Sequence, residues 1–501
     1  MKNIVRKLVF IGLPVLFIGG PAFAKQKKYK GGGKVSQTYN MTRTTGLRAA
    51  DGCDPATSQT DLDINNVRAT VLNGGDMWWD LANDAKYEVP KSEPGQPKKT
   101  ALFASGVWFG GVDAGGQLKT AGQTYRQFPN AQPGANDFWP GPLDTATASI
   151  SREECKTWDK HFTVYQSDIV KYQAGEQPEN YNSGSILGWP GNGDMSKGQT
   201  PFLAPYIDAD GNGTYNPSSA GGSGVDYPTL DPSVPQAVPD QMIWWVFNDK
   251  GNLHQKYAGA EPIGLEIHAL AFAFKTANEV NNMTFYKYRI FNRAFSPLFD
   301  TFFGIFTDPD LGDAADDYVG CNMELKDSDG PLGPAPTKPR NIGYVYNADN
   351  DDGTAQGYGV APPSVGIDFF KGPLDEFGNE LPMAHFFYFT NSAPDNVSDP
   401  DDAVEMYRYL RGFWADGTRM TYGGTGYSPG GTDYADYAFP GTTDPQGRAN
   451  WSEITESNTP GDRRIVQSAG PFRLEAGAVN EIILGVVYGR AGNGGNNLTS
   501  I

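Results

Sequence analysis

The chain has little cysteine and little histidine, and this shortage excludes several kinds of site. The cysteines lie far apart, so zinc-type spacing is absent, and at most one disulfide can form with one thiol left over. The sequence also lacks an HExxH motif, a GxSxG motif and a cysteine with a nearby histidine signature. We therefore expect no zinc site and disfavour peptidase activity. The residues concerned are Cys53, Cys155, Cys321, His161, His254, His268 and His385.

Long apolar runs are absent beyond the amino terminus. Residues 1–24 combine basic residues, a short apolar stretch from Leu8 to Phe17 and a small-residue cleavage site at 22–24, which is typical of a secretory signal peptide. The apolar stretch is too short to span a bilayer, and no later segment approaches the required length. We predict a secreted or outer cell-surface protein with no transmembrane span after signal removal.

Positive charge is scarce as well. The chain has 40 Lys and Arg against 58 Asp and Glu, a formal net charge of −18, and removal of residues 1–24 takes away three positive charges to give −21. This charge disfavours nucleic acid as a partner. An aromatic content of 13% supplies enough large apolar side chains for a folded core, which disordered chains lack.

Glycine and proline are abundant, with 62 and 37 residues, and they favour a turn-rich β structure. Residues 25–60 are basic and Gly-rich, so we predict a flexible leader. Residues 61–501 form a large β-rich extracellular region, either as one assembly or as two subdomains, 61–200 and 201–501. Alternating apolar strands predict a mainly β fold, an antiparallel β-sandwich assembly with two peripheral helices and long Gly/Pro-rich loops.

The two predicted helices are 152–172 and 399–411. In the first, Ser151 and Glu154 match a capping box, and apolar residues recur at helical spacing, which predicts that Cys155 is a buried small hydrophobe. In the second, Asp399 is the predicted cap and Gly412 the stop.

A loop at residues 208–214 matches the spacing of a calcium loop. Asp208, Asp210 and Asn212 occupy positions 1, 3 and 5, a glycine follows, and the carbonyl of Thr214 supplies position 7. Position 12 is Ser219 rather than Glu, so we expect no EF-hand, and Asp226 is a candidate for the missing carboxylate. The alternative is a solvated Asx-turn.

A second acidic stretch follows the strand predicted at 302–306. Its acids fall within ten positions, and another predicted strand, at 344–346, ends in further acids, so we predict that both contribute to one calcium site. Oxygen donors without His or Cys select calcium over zinc. The predicted ligands are Asp308, Asp310, Asp313, Asp316 and Asp317, with Asn347, Asp349 and Asp351 from the second strand end.

A set of distinctive short motifs extends from the middle of the chain to its end. They are WPGNGD (189–194), LAPYIDADGNGTYNP (203–217), DYP (226–228), DQMIWWVFND (240–249), FTDPDLGDAADDYVGCN (306–322), GYVYNADNDDG (343–353), APPSVGIDFFKGP (361–373), WSE (451–453), GDRR (461–464) and SAGPFRLEAGAVNEIILGVV (468–487). Together these motifs resemble the large N-terminal region of secreted or surface-exposed Bacteroidetes proteins exported by type IX secretion, over about residue 65 to the end. The resemblance implies location rather than activity. Such proteins usually continue into a C-terminal β-sandwich sorting domain, which is not visible in this chain.

Two functions compete at this point. The first is a calcium-stabilised structural or adhesion-type β protein without catalytic activity, with glycans, extracellular matrix or cell-surface components as partners. The second is a glycan-binding module or glycoside hydrolase, suggested by ten Trp, 25 Tyr and many carboxylates. Glu266 and His268 share one face of a predicted strand, but no second carboxylate or nucleophile accompanies them, which disfavours catalysis there.

Overall fold

The structure is a computed structural model that describes residues 52–82, 84–93, 95–125, 136–324, 341–391, 394–492 and 494–501. The predicted signal peptide and residues 25–51 of the predicted leader lie outside these ranges. Residues 52–60 of that leader are described and belong to the folded region, since Cys53 is buried in a disulfide and the first strand begins at Gln59. The folded region therefore begins before Asp61.

Two large antiparallel sheets dominate the fold. Among the described residues, strands hold 35% and helices 12%, so the predicted mainly β class is confirmed. With strands numbered in chain order, the first sheet contains β1 (Gln59–Leu62), β2 (Arg68–Leu72), β3 (Asp76–Met77), β4 (Tyr87–Glu88), β5 (Thr100–Leu102), β6 (Ala104–Asp113), β7 (Leu118–Gly122), β15 (Leu298–Asp308), β21 (Met383–Phe389) and β22 (Arg464–Leu474).

The second sheet has nine strands, which are β8 (Trp139–Pro140), β9 (Phe162–Tyr165), β12 (Gln241–Asn248), β13 (Leu265–Ala273), β14 (Thr284–Asn292), β16 (Asp317–Asn322), β17 (Ile342–Asn347), β20 (Ser364–Lys371) and β23 (Val479–Gly489). Their order is β16-β17-β20-β23-β14-β13-β12-β8, with β9 also paired to β12. Both large sheets mix strands from before and after residue 200, so the sheets do not divide there. Two short hairpins add β10 (Tyr206–Ile207) with β11 (Tyr227–Pro228), and β18 (Asp351–Asp352) with β19 (Gly359–Val360).

The two large sheets pack face to face around the main core. Phe303 on β15 lies with its ring centroid 6.2 Å from that of Tyr288 on β14 and 6.1 Å from that of Phe369 on β20. The indole N–H of Trp78 donates to the hydroxyl of Tyr286 at 2.8 Å. Aromatic side chains of both sheets thus fill the space between them, as a sandwich requires.

The predicted helix at 152–172 is wrong in its middle. The segment forms α1 (Arg152–Trp158), then β9, then α2 (Gln166–Gln173). Thr163 and Val164 pair with Ile243 and Met242 on β12, because a β-branched stretch beside an exposed strand edge gains ladder hydrogen bonds that outweigh its helical spacing. One of the two hydrogen bonds of the predicted capping box is confirmed, because the Ser151 side chain accepts from the Glu154 N–H.

The second predicted helix is shorter than expected. It is α4 (Ala403–Leu410), and its cap is Asp402, whose carboxylate accepts from the N–H groups of residues 404 and 405, rather than Asp399. It packs on the first sheet, where glycines make room for its side chains. A Cβ at Gly304 would lie 2.3 Å from Leu410. Two further short helices, α3 (Ser183–Leu187) and α5 (Glu453–Glu456), bring the described total to five instead of the predicted two.

Cys53 and Cys155 form a disulfide with a Cα–Cα distance of 5.9 Å. Cys155 is buried, as predicted, but it is a bridging residue rather than a free small hydrophobe. Cys321 is the buried free thiol. No helix of the described residues combines the length and apolar content needed to cross a membrane.

Breaking the disulfide should destabilise the fold. Cross-linking residues 102 positions apart restricts the unfolded chain, so Cys53→Ala should lower the free energy of unfolding by about 2–4 kcal/mol, measured by urea denaturation. As a control, dithiothreitol should shift the wild-type transition and leave that of the variant in place. Finding three reactive thiols in denatured, unreduced protein would contradict the pairing.

Candidate metal centres

The calcium-loop residues lie beside a distant carboxylate. Pairing of β10 with β11 sets Tyr206 opposite Pro228, and this brings Asp226 to the loop that follows β10. Oxygens of Asp208, Asp210 and Asp226 lie within 4.8 Å of one another; we call these three residues the loop group. Asp226 was the sequence candidate for the missing carboxylate, and the structure brings it to the predicted loop.

Hydrogen bonds within the loop hold its carboxylates. The N–H of Gly213 donates to Asp208 Oδ2 at 2.8 Å, and the N–H of Asn212 donates to Asp210 Oδ1 at 3.1 Å. Gly213 has φ +77°, the left-handed conformation expected at position 6 of the loop. The amide oxygen of Asn212 accepts from the Thr214 N–H at 2.8 Å. Asn212 and Thr214 therefore order the loop, and strands rather than helices flank it.

A second set of three carboxylates forms where β15 ends. The β15–β22 ladder pairs Thr307 with Ile465, and it brings Asp462, just before β22, to Asp308 and Asp310. Oxygens of these three acids lie within 4.8 Å of one another; we call them the strand-end group. Asp462 was not among the predicted ligands, although GDRR was among the motifs, because about 150 residues separate it from the acidic stretch.

The strand-end group is incompletely neutralised. Arg464 Nη2 lies 3.3 Å from Asp308 Oδ2, and its Nη1 lies 2.8 Å from Asp462 Oδ1. Asp308 is 2% exposed, and its Oδ1 has no hydrogen-bond partner. Burial, followed by the charge of Asp310, raises the pKa of Asp308 well above its usual range. Burial and Asp462 raise the pKa of Asp310 to about 6. A cation between these groups would reverse both effects.

The remaining predicted acids lie in a neighbouring group rather than in the same cage. Asp317 on β16 is paired with Asn347 on β17, and Asn347 Nδ2 donates to Asp316 Oδ1 at 2.8 Å. Asp352, from β18, lies close enough that its charge raises the pKa of Asp316. We call Asp316, Asp317, Asn347 and Asp352 the inner group. Asp313 borders it and caps a short turn by accepting from the Ala315 N–H at 3.0 Å.

Two predicted ligands are not buried with the inner group. Asp349 and Asp351 are exposed, and the Asp351 N–H donates to Asp349 Oδ1 at 2.8 Å. Asp352, which was not among the predicted ligands, is fully buried. The alternation of side chains along the short β18–β19 hairpin accounts for the difference, because neighbouring residues of a strand face opposite sides.

Glu266 and His268 belong to a buried network. His268 Nε2 lies 2.8 Å from Glu266 Oε1, and Arg293 Nη2 lies 2.6 Å from the same oxygen. The other carboxylate oxygen accepts from the Leu143 N–H at 2.7 Å. A cavity of about 220 Å³ beside His268 is lined in part by Lys287 and Glu481, which form an ion pair at 3.1 Å. The Glu266 carboxylate therefore links β13 to the Arg293 side chain and to the backbone at Leu143.

In chelator, the stability of the protein should depend on pH through Asp316. Burial and then the charge of Asp352 raise the pKa of Asp316 to about 7 from an unfolded value of 3.8. The folded state then binds the proton more tightly, so this stabilisation is complete below about pH 4 and is lost as pH rises toward 7. Thermal melts from pH 4 to 8 should show a smaller decline for Asp316→Asn than for the wild type, and equal declines would contradict this assignment.

Comparison with models of known protein families gives no match for this chain. A search of curated proteins also gives no matching sequence. The resemblance to secreted Bacteroidetes proteins therefore stays a prediction, and function has to be inferred from the arrangement of the side chains.

Proposed function

We propose that this is a secreted or surface-exposed, calcium-stabilised β protein of structural or adhesion type, without catalytic activity. The strand-end group is the observation that carries the proposal. Three carboxylates from two paired strands place oxygens within 4.8 Å of one another, and one oxygen of the buried Asp308 lacks a donor. Burial of a carboxylate without a partner is costly, and a bound cation would remove that cost.

Calcium is the cation that fits this donor set. The loop group and the strand-end group contain carboxylates and neither His nor Cys, and such oxygen sets favour hard divalent cations over zinc. Calcium accepts six to eight oxygens in flexible geometry, so waters and backbone carbonyls can complete an irregular site. Extracellular modules bind calcium even with weak affinity, because free calcium is abundant outside the cell.

Two observations support export. The amino-terminal sequence has the pattern of a signal peptide. The Cys53–Cys155 disulfide is of a kind that persists in oxidising compartments and is rare in the cytosol. The resemblance to surface proteins agrees with both, and together they favour a calcium-rich environment for the acidic groups.

The positions of the aromatic residues favour a structural role over glycan processing. Nine of the ten tryptophans are buried and Trp158 is partly buried, so these rings fill the core rather than forming an exposed platform for sugars. Glu266 and His268 are both buried and hydrogen-bonded to each other. Glycan binding or hydrolysis remains the alternative, although no contact described above favours it.

Chelation should lower the melting temperature. The folded sites bind calcium and the unfolded chain barely does, so calcium at about 100 times its dissociation constant should add roughly 2.7 kcal/mol per site. Asp208→Ala should remove part of this response through the loop group, and Asp310→Ala should remove part through the strand-end group. Thermal melts with and without EDTA, together with isothermal titration calorimetry, measure both effects.

Glu376→Ala is the matched control. Glu376 is exposed in the turn after Asp375. Its replacement removes one negative charge outside the loop group, the strand-end group and the inner group. It should keep the full calcium response. If EDTA leaves the wild-type melt unchanged and calorimetry detects no calcium binding, the acidic loops are solvated turns and the calcium proposal is wrong.

The purified protein should show no turnover of polysaccharides or peptides. A panel of glycans and polysaccharides, monitored for binding and for release of reducing ends, tests this expectation. Binding without turnover would identify an adhesion ligand. Turnover that a single point substitution abolishes would overturn the non-catalytic assignment in favour of the hydrolase alternative.

A further inference from the structure

The inner group contains three buried oxygens that no donor satisfies. They are Asp317 Oδ1, Asn347 Oδ1 and Asp352 Oδ1. Each residue is fully buried, and the three come from different segments, namely β16, β17 and the β18–β19 hairpin. Buried polar groups are almost always hydrogen-bonded, so three unpartnered acceptors in one region require an explanation.

Backbone contacts fix the two carboxylates and leave these oxygens free. Leu311 N–H donates to Asp317 Oδ2 at 2.9 Å, and Tyr358 N–H donates to Asp352 Oδ2 at 2.6 Å. Each carboxylate therefore uses one oxygen to anchor a neighbouring segment and keeps the other available. A metal ligand held in this way is preorganised, since its orientation does not depend on the ion.

The space around Asp352 exists because glycines line it. A Cβ at Gly312 would lie 2.1 Å from Asp352 Oδ2, and a Cβ at Gly357 would lie 2.1 Å from its Oδ1. Any other residue at either position would displace the carboxylate. The chain thus makes room for a buried negative charge next to two others, Asp316 and Asp317, whose pKa values it raises.

We infer that the inner group holds a third divalent cation, next to the one proposed for the strand-end group, bound by Asp317, Asn347 and Asp352 with Asp316 at its edge. This inference rests on the proposed calcium function and adds a separate site to it. The donors are one amide and several carboxylate oxygens, which suit calcium; magnesium would retain most of its waters. The ion would join the second sheet to the hairpin that carries Tyr358, whose hydroxyl donates to the Val89 carbonyl at 2.9 Å.

The test compares two adjacent residues of one strand. Asp352→Asn removes a buried charge and keeps an oxygen that can accept from the Tyr358 N–H, whereas Asp351→Asn removes an exposed charge. Equilibrium dialysis against calcium should show that Asp352→Asn binds one equivalent less than the wild type and that Asp351→Asn binds the same number. Equal stoichiometry in all three proteins would overturn the inference, and the three oxygens would then hold ordered water.

Failure of the inner site is distinguishable from failure of the calcium proposal. If the wild type binds calcium and Asp352→Asn keeps every equivalent, only the inner site is wrong. If the wild type binds none, both are wrong.

Hydrogen exchange decides the matter if Asp352→Asn does not fold. In Asp462→Ala, which removes a strand-end ligand, added calcium should still slow exchange of the Tyr358 amide. Unchanged exchange there would also overturn the inference.

Discussion

The pairing of β15 with β22 is the contact on which both the core and the acidic groups depend. Its ladder runs from Leu298 to Thr307 and places Phe303 and Ile305 in the space between the sheets. The same register determines which residues meet where β15 ends, and these are acids. Because a shift of one residue would turn every side chain to the other face, the apolar core also fixes the geometry of the strand-end group.

This arrangement explains why the charges accumulate at one end of the sandwich. Strand interiors cannot hold several carboxylates, since each buried charge costs several kcal/mol without a partner. The positions just after strands are where the chain leaves the core and can bend. Asp310 has φ +34°, and Gly312 has φ +72°, so the backbone turns sharply there and folds its acids toward each other rather than into solvent.

The sequence predicts the elements better than it predicts their partners. The strands predicted at 302–306 and 344–346 lie within β15 and β17, and the position of Asp208, Asp210 and Gly213 identified a loop that the structure shows ordered around carboxylates. Asp462 was missed because sequence spacing says nothing about which strand will pair with β15. Asp351 rather than Asp352 was among the predicted ligands. Both follow the same strand in the sequence, and only the pairing of the short β18–β19 hairpin shows that Asp352 is the buried one.

The charge of the strand-end group indicates which kind of cation would neutralise it. When ionised, Asp308, Asp310 and Asp462 carry three negative charges. Arg464, which also lies 3.9 Å from Asp399, supplies one positive charge, so the three acids and Arg464 together keep a net charge of −2. A second arginine in the strand-end group would lose side-chain conformational entropy and would have to be desolvated. A divalent ion, if bound as proposed, would supply the two missing positive charges at a single point, and several oxygens could share it. The inner group has no arginine within ion-pair distance among the described residues, and the charge of Lys99 acts on Asp352 from beyond that distance, so a cation bound there would supply its nearest positive charge. Both groups lie where strands end and the apolar core stops, and a cation bound at each, as proposed, would hold those strand ends together.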